Sequence, residues 1–169
     1  MNTRRIWLAA GLLASVSAHA EGLYIGGKVG IMTVDDNAFN DATNAGVVLG
    51  YEFPSRTAAS FAIEAEFTTS VSDGDFRVFG VNGDWDMDTQ ALYAAVRFGH
   101  QFYAKGRIGY LNEDVTARAG GFSANDDDSG LSAGLGGGWR VNEHVSLEAE
   151  YTLIEEDVDF WSIGLNVSF

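Results

Sequence analysis

Acids dominate the residues of this chain that could do chemistry. Asp126-Asp127-Asp128, Glu155-Glu156-Asp157 and the alternating Asp84, Asp86 and Asp88 supply hard oxygen ligands of the kind that suit Ca²⁺ or Mg²⁺. The last set opens with the spacing of an EF-hand loop, but Thr89 and Gln90 follow where that loop needs a Gly and later a Glu. No dedicated metal site is therefore expected. Asp84, Asp86, Asp88, Asp126, Asp127 and Asp128 remain as groups that would hold divalent cations loosely. There is no Cys, hence no thiolate nucleophile, disulfide or Cys-based metal site. Past the first twenty residues the histidines are His100 and His144, both in segments that read as turns at one end of the molecule. Ser72, Ser123 and Ser129 fall in long connections at the other end. A serine without an adjacent base stays a poor nucleophile, so neither an enzyme nor a cofactor is expected.

A second set of charges has a different spacing. Glu52, Glu64, Glu66, Glu148 and Glu150, with the bases Arg97, Arg107 and Arg140, each adjoin an apolar or glycine residue within a regular alternation. Successive side chains of a strand point to opposite faces, so alternation separates the charges from the apolar residues. Followed along the chain, it gives eight segments, approximately 23–32, 45–53, 60–70, 89–98, 103–112, 130–140, 145–154 and 160–169. Val47, Leu49, Tyr51 and Phe53 form one apolar stripe, and Phe61, Ile63, Ala65 and Phe67 another. The last segment places Trp161, Ile163, Leu165, Val167 and Phe169 at alternate positions and ends on an aromatic.

Most of these segments are near the roughly 9–11 residues that cross a bilayer as a tilted strand. Their connections alternate in length. Short ones lie at 54–59, 99–102 and 141–144; long ones lie at 33–44, 71–88, 113–129 and, more modestly, 155–159. The long connections hold most of the 24 acidic residues and, as bases, only Arg77 and Arg118. At the other extreme of the chain, Arg4 and Arg5 precede the apolar run Ile6 to Val16, and Ala18-His19-Ala20 supplies small residues for cleavage. That pattern reads as a secretory signal peptide over 1–20, too short to span a membrane as a helix. Residues 21–169 then form one domain with 8 basic side chains against 24 acidic ones, a balance that repels nucleic acid.

The expected fold is all-β: an eight-stranded antiparallel up-and-down transmembrane β-barrel with its apolar stripes toward lipid. The same alternation also fits a soluble lipocalin-like ligand-binding barrel, with the apolar face turned inward. In the membrane reading, Glu52, Glu64, Glu66, Arg97, Arg107, Arg140, Glu148 and Glu150 face a narrow lumen. Charges held away from water need partners, which predicts Glu64 and Glu66 with Arg97 or Arg107, and Glu148 and Glu150 with Arg140. Tyr24, Phe53, Phe98, Phe102, Tyr103, Trp139 and Phe169 fall near one level, where a ring of aromatics marks a membrane–water boundary.

The signal peptide, eight alternating strands, acidic long loops and terminal Phe169 together resemble the OmpA-like and opacity-type family of small outer-membrane barrels. The resemblance covers residues 21–169 and contains no sharp site motif. It implies a bacterial outer-membrane location amid lipid and lipopolysaccharide, and delivery by the assembly machinery through the C-terminal strand. It also implies a monomer whose role is membrane integrity, adhesion or surface contact through the acidic loops. The alternative is a narrow, porin-like cation channel gated by the lumenal Glu/Arg network. The chain ends at the barrel, so the peptidoglycan-binding domain of OmpA itself is not expected.

Overall fold

The computed structural model describes residues 21–34, 40–78, 81–119, 122–155 and 158–169; the leader expected at 1–20 lies outside the described residues. The strands are β1 (Leu23–Val34), β2 (Ala42–Glu52), β3 (Ala59–Ser72), β4 (Gly74–Val78), β5 (Val81–Gly99), β6 (Phe102–Ala119), β7 (Phe122–Arg140), β8 (Val145–Glu155) and β9 (Val158–Ser168). β3 and β4 are two pieces of one path broken at Asp73, since both pair with β5. Every pairing is antiparallel; β1 pairs with β9, and the β3–β5 ladder closes the circuit. The result is a closed eight-stranded barrel, the form in which a sheet can cross lipid with its backbone satisfied.

The break between β3 and β4 has a local cause. The β3–β5 ladder stops at Thr68↔Thr89. Beyond it, side chains replace the ladder: Asn44 Nδ2 donates to the Met87 carbonyl at 2.9 Å, and the Met87 N–H donates to Ser70 Oγ at 3.0 Å. β4 then resumes pairing with the outer part of β5, from Gly74↔Trp85 to Val78↔Val81.

Exposure decides which face is which. Leu131 is 78% exposed, Phe98 66% and Ile163 65%, and the other apolar stripes follow them outward. The alternate residues, Glu64, Glu66, Arg97 and Arg107 among them, are buried inside. A soluble lipocalin-like barrel needs the reverse arrangement, so that alternative is overturned. A continuous apolar belt of this extent belongs in lipid.

The segments expected to be loops at 71–88 and 113–129 are largely strand. β5 and β7 have 19 residues and β6 has 18, against 11 in β8 and β9. At about 3.3 Å per residue, the longer strands run on for roughly 25 Å of chain. Alternation of apolar with polar residues is needed only where one face meets lipid. Past that depth the outward positions become Asp88, Asn112, Asp114, Asp127 and Ser129, and the apolar signal ends although the register does not.

The interior has two layers. Toward the end that carries both termini it is charged. Toward the far end Met32, Trp85, Met87, Tyr93, Leu111, Ile154, Val158 and Phe160 pack into an apolar cluster. On β1, β5, β6 and β8 these residues share the inward parity of the charges and lie further toward the far end.

Candidate functional site

The charged layer holds four cations and four carboxylates that are nearly inaccessible: Lys28, Arg97, Lys105 and Arg107 with Glu64, Glu66, Glu148 and Glu150. Lys105 is central, with its Nζ 2.8 Å from Glu64, Glu148 and Glu150 alike. Arg97 meets Glu64 at 2.7 Å and Glu148 at 3.0 Å, and Lys28 meets Glu66 at 2.9 Å and Glu150 at 3.2 Å. Arg107 closes the ring through Glu66 and donates to Thr152 Oγ1 at 2.7 Å. Equal numbers of each sign matter here, because one unpaired buried charge costs several kcal/mol.

Two tyrosines expected in the outer aromatic ring belong to this layer instead. Tyr24 shares the inward parity of Lys28, and Tyr103 that of Lys105, so neither can face lipid. The Tyr24 hydroxyl donates to Glu64 at 2.6 Å and the Tyr103 hydroxyl to Glu148 at 2.7 Å. Their rings lie where other side chains would stand. A Cβ built on Gly50 would come 2.1 Å from the Tyr24 ring, and one on Gly138 2.1 Å from the Tyr103 ring. Glycine at those two inward positions is what admits the rings. Phe53, Phe98, Phe102, Trp139 and Phe169 lie exposed on the outer face near the end that carries the termini, with the Phe102 and Trp139 rings stacked at 6.1 Å.

Arg140 does not meet Glu148 or Glu150. It sits at the last position of β7, where its guanidinium reaches Glu52 at 3.2 Å and the His100 carbonyl at 2.6 Å, both at the mouth of the barrel. The cationic partners of Glu148 and Glu150 are Lys105, Lys28, Arg97 and Arg107. Sequence reasoning missed Lys28 and Lys105, although Lys105 lies two residues before Arg107 on one strand and so shares its face. At the same mouth a cavity of about 40 Å³ is lined by Tyr24, Glu52, Arg97, Tyr103, Arg140 and Ser146. A water molecule takes about 30 Å³ of liquid, so this space is water-sized.

The loop acids are not gathered into a cage. Among the described residues, no cluster of three or more His, Asp or Glu side chains is arranged to hold a metal ion. Asp84, Asp86 and Asp88 share the outer face of β5, where Asp86 pairs with Arg118, while Asp126, Asp127 and Asp128 alternate faces along β7. Asp88, Asp114 and Asp127 stand in one cross-strand row. The hydrogen bond and charge of Asp127 hold the Asp114 carboxyl above its usual range. His100 and His144 lie exposed in turns at the opposite end from Ser72, Ser123 and Ser129.

No curated protein sequence matches the chain. Among solved structures, Ail, the attachment invasion locus protein of Yersinia pestis, is 18% identical with a TM-score of 0.61, covering 88% of this chain and 99% of its own. Neisserial surface protein A is 15% identical with a TM-score of 0.62, covering 90% and 100%. The N-terminal β-barrel domain of Pseudomonas aeruginosa OprF is 14% identical with a TM-score of 0.57, covering 89% and 100%. Ail has also been solved with the heparin analogue sucrose octasulfate, and the barrel is shared with the outer membrane enzyme PagL at 10% identity. At these identities the likeness establishes the fold. The sequence model of the outer membrane protein beta-barrel domain matches residues 6–169; the chain belongs to that family, and its place is the bacterial outer membrane.

Proposed function

We propose that this chain is a structural and interaction protein of the outer membrane, in which a filled barrel carries an acidic sheet into the external medium. The observation that supports this reading is the continuation of β5, β6 and β7 as paired strands well past the apolar belt. Spanning needs about 9–11 residues per strand, so the extra length serves something outside. The outer face of that sheet presents Asp75, Asp84, Asp86, Asp88, Asp114 and Asp127, with Arg77 and Arg118 as its bases. The heparin analogue seen with Ail is a polyanion. The sheet here is itself acidic and would repel such a ligand, which favours a cationic or neutral partner. Divalent cations would be held loosely along the acids, next to lipopolysaccharide phosphates. The C-terminal strand ending in Phe169 would be the segment read by the assembly machinery.

A cation channel is the weaker reading, because the charged layer and the apolar cluster both occupy the lumen. The test has two arms on residues 21–169. In planar bilayers the refolded barrel is expected to give no conductance; reproducible cation-selective steps that change with Arg97→Ala would install the channel reading. In cells, a variant with 115–126 replaced by a two-glycine turn should keep the heat-dependent gel mobility of a folded barrel. It should lose adhesion to host-cell monolayers and to neighbouring cells. Unchanged adhesion would remove the contact reading.

A further inference from the structure

We infer that the free edge of β7, between Phe122 and Gly130, takes up an extended polypeptide segment bearing alternate lysines or arginines as an additional strand. The inference rests on the contact reading above and names the kind of partner. Toward β6, β7 is paired without a break from Ala119↔Phe122 to Phe102↔Trp139. Toward β8, pairing begins only at Ala133↔Leu153. Among the described residues, no strand pairs with β7 on that side between 122 and 132. A closed barrel has no edge, but a strand that outruns its neighbour creates one.

The direction of the backbone groups follows from the register. The Arg140 N–H donates to the Gln101 carbonyl on the β6 side, and the Val141 N–H donates to the Val145 carbonyl on the β8 side. Even-numbered residues of β7 therefore bond toward β6, and odd-numbered ones face the other way. Ser123, Asn125, Asp127 and Ser129 thus direct their N–H and C=O groups to the open side. Ser129 agrees with this assignment: its N–H donates to Asp128 Oδ1 at 2.6 Å rather than to a ladder carbonyl.

Charge selects the occupant. Asp126 and Asp128 lie on one face of the edge and Asp127 on the other, so a strand laid along it meets acid on both faces. Opposite charges directly across a ladder stabilise pairing and like charges oppose it. A second copy of this edge would bring its own three aspartates against these, which excludes self-pairing. A basic extended segment gains both the backbone bonds and the cross-strand pairs.

The test uses residues 21–169 refolded in lipid nanodiscs and three eight-residue peptides. One alternates Lys and Thr, one alternates Glu and Thr, and one is the Lys-Thr peptide N-methylated at alternate residues. Amide hydrogen exchange at Ser123, Asn125 and Asp127 should slow at least tenfold with the Lys-Thr peptide and with neither of the others. Asn125→Pro removes an N–H that points to the open side and costs no ladder bond. The barrel of that variant should keep its gel mobility while peptide affinity falls at least tenfold. If the N-methylated peptide binds as well as its parent without amide protection, the attraction is one of acidic surface alone and the edge proposal is overturned. Absence of protection by any peptide at millimolar concentration overturns it equally. In both cases the contact reading stands or falls separately, on the adhesion of the trimmed hairpin.

Discussion

Replacing Lys105 by Met should cost far more stability than removing Arg140, although both are basic residues at the charged layer. Lys105 is 3% exposed at its side chain and touches three carboxylates. Its loss leaves Glu64, Glu66, Glu148 and Glu150 facing three cations in place of four. Removing one partner of a buried ion pair destabilises by about 3–5 kcal/mol. Arg140 and Glu52 are each about a third exposed, and such a pair contributes about 0–1 kcal/mol after solvent screening. With an m-value of about 2 kcal/mol per molar urea, Lys105→Met should lower the midpoint by roughly 2 M and Arg140→Ala by less than about 0.5 M. The assay is equilibrium unfolding of refolded 21–169 in lipid vesicles, followed by tryptophan fluorescence and by heat-dependent gel mobility. The charge argument makes a further demand: adding Glu148→Gln to Lys105→Met restores the balance of signs and should recover part of the loss. Equal midpoints for the two single variants, or a double variant weaker than Lys105→Met, would falsify the account of the network as a balanced set.

Gly138→Val would bring a side chain into the Tyr103 ring, an overpacking cost of about 1–3 kcal/mol; the same unfolding assay should show that loss shrink when Tyr103→Ala is added, and independence of the two changes would refute the contact. The hydrogen bond and charge of Asp127 raise the Asp114 carboxyl above its ordinary range. Its favourable contribution is therefore present below the ordinary Asp range, about 3.9, and is lost as pH rises through the raised value. Carbon-13 NMR of the side chain should show titration above the ordinary range and a return to it in Asp127→Asn. Chelation by EDTA should raise protease sensitivity within 113–129 if divalent cations screen this sheet; identical cleavage with and without EDTA would count against such screening.

The apolar stripes made the barrel legible because lipid imposes the alternation over every spanning strand. Val47 to Phe53 and Trp161 to Phe169 could be read residue by residue, and the parity that exposed them also placed Glu64, Arg97 and Arg107 inside. The same rule, applied to every residue of the first and fifth expected strands, would have found Lys28 and Lys105 and turned Tyr24 and Tyr103 inward. Those were missed because an aromatic near a strand end was read by height and not by parity. Partner choice within the network was less accessible. Which acid meets Arg140 depends on stagger between non-adjacent strands across the lumen, and no local pattern encodes that distance. The outer halves of β5, β6 and β7 were hidden for a different reason: where the outer face of a paired strand meets water, its outward positions have no need to be apolar. The inner apolar layer was equally silent, since Met87, Leu111 and Phe160 look like lipid-facing residues until their register is known.

The stacking of an apolar layer above a charged one makes the barrel interior one-sided. Met32, Trp85, Met87 and Phe160 stand between the ions and the end that carries the acidic sheet, whereas Glu52 and Arg140 are partly open at the mouth that carries the short turns, the end that faces the periplasm in barrels of this kind. The more open route to the buried charges is therefore at the mouth lined by Glu52 and Arg140. In the orientation proposed above, the protein's strength, so far as it depends on those ions, would answer to the compartment inside the cell envelope and not to the swings in acidity or salinity that its external sheet would meet directly.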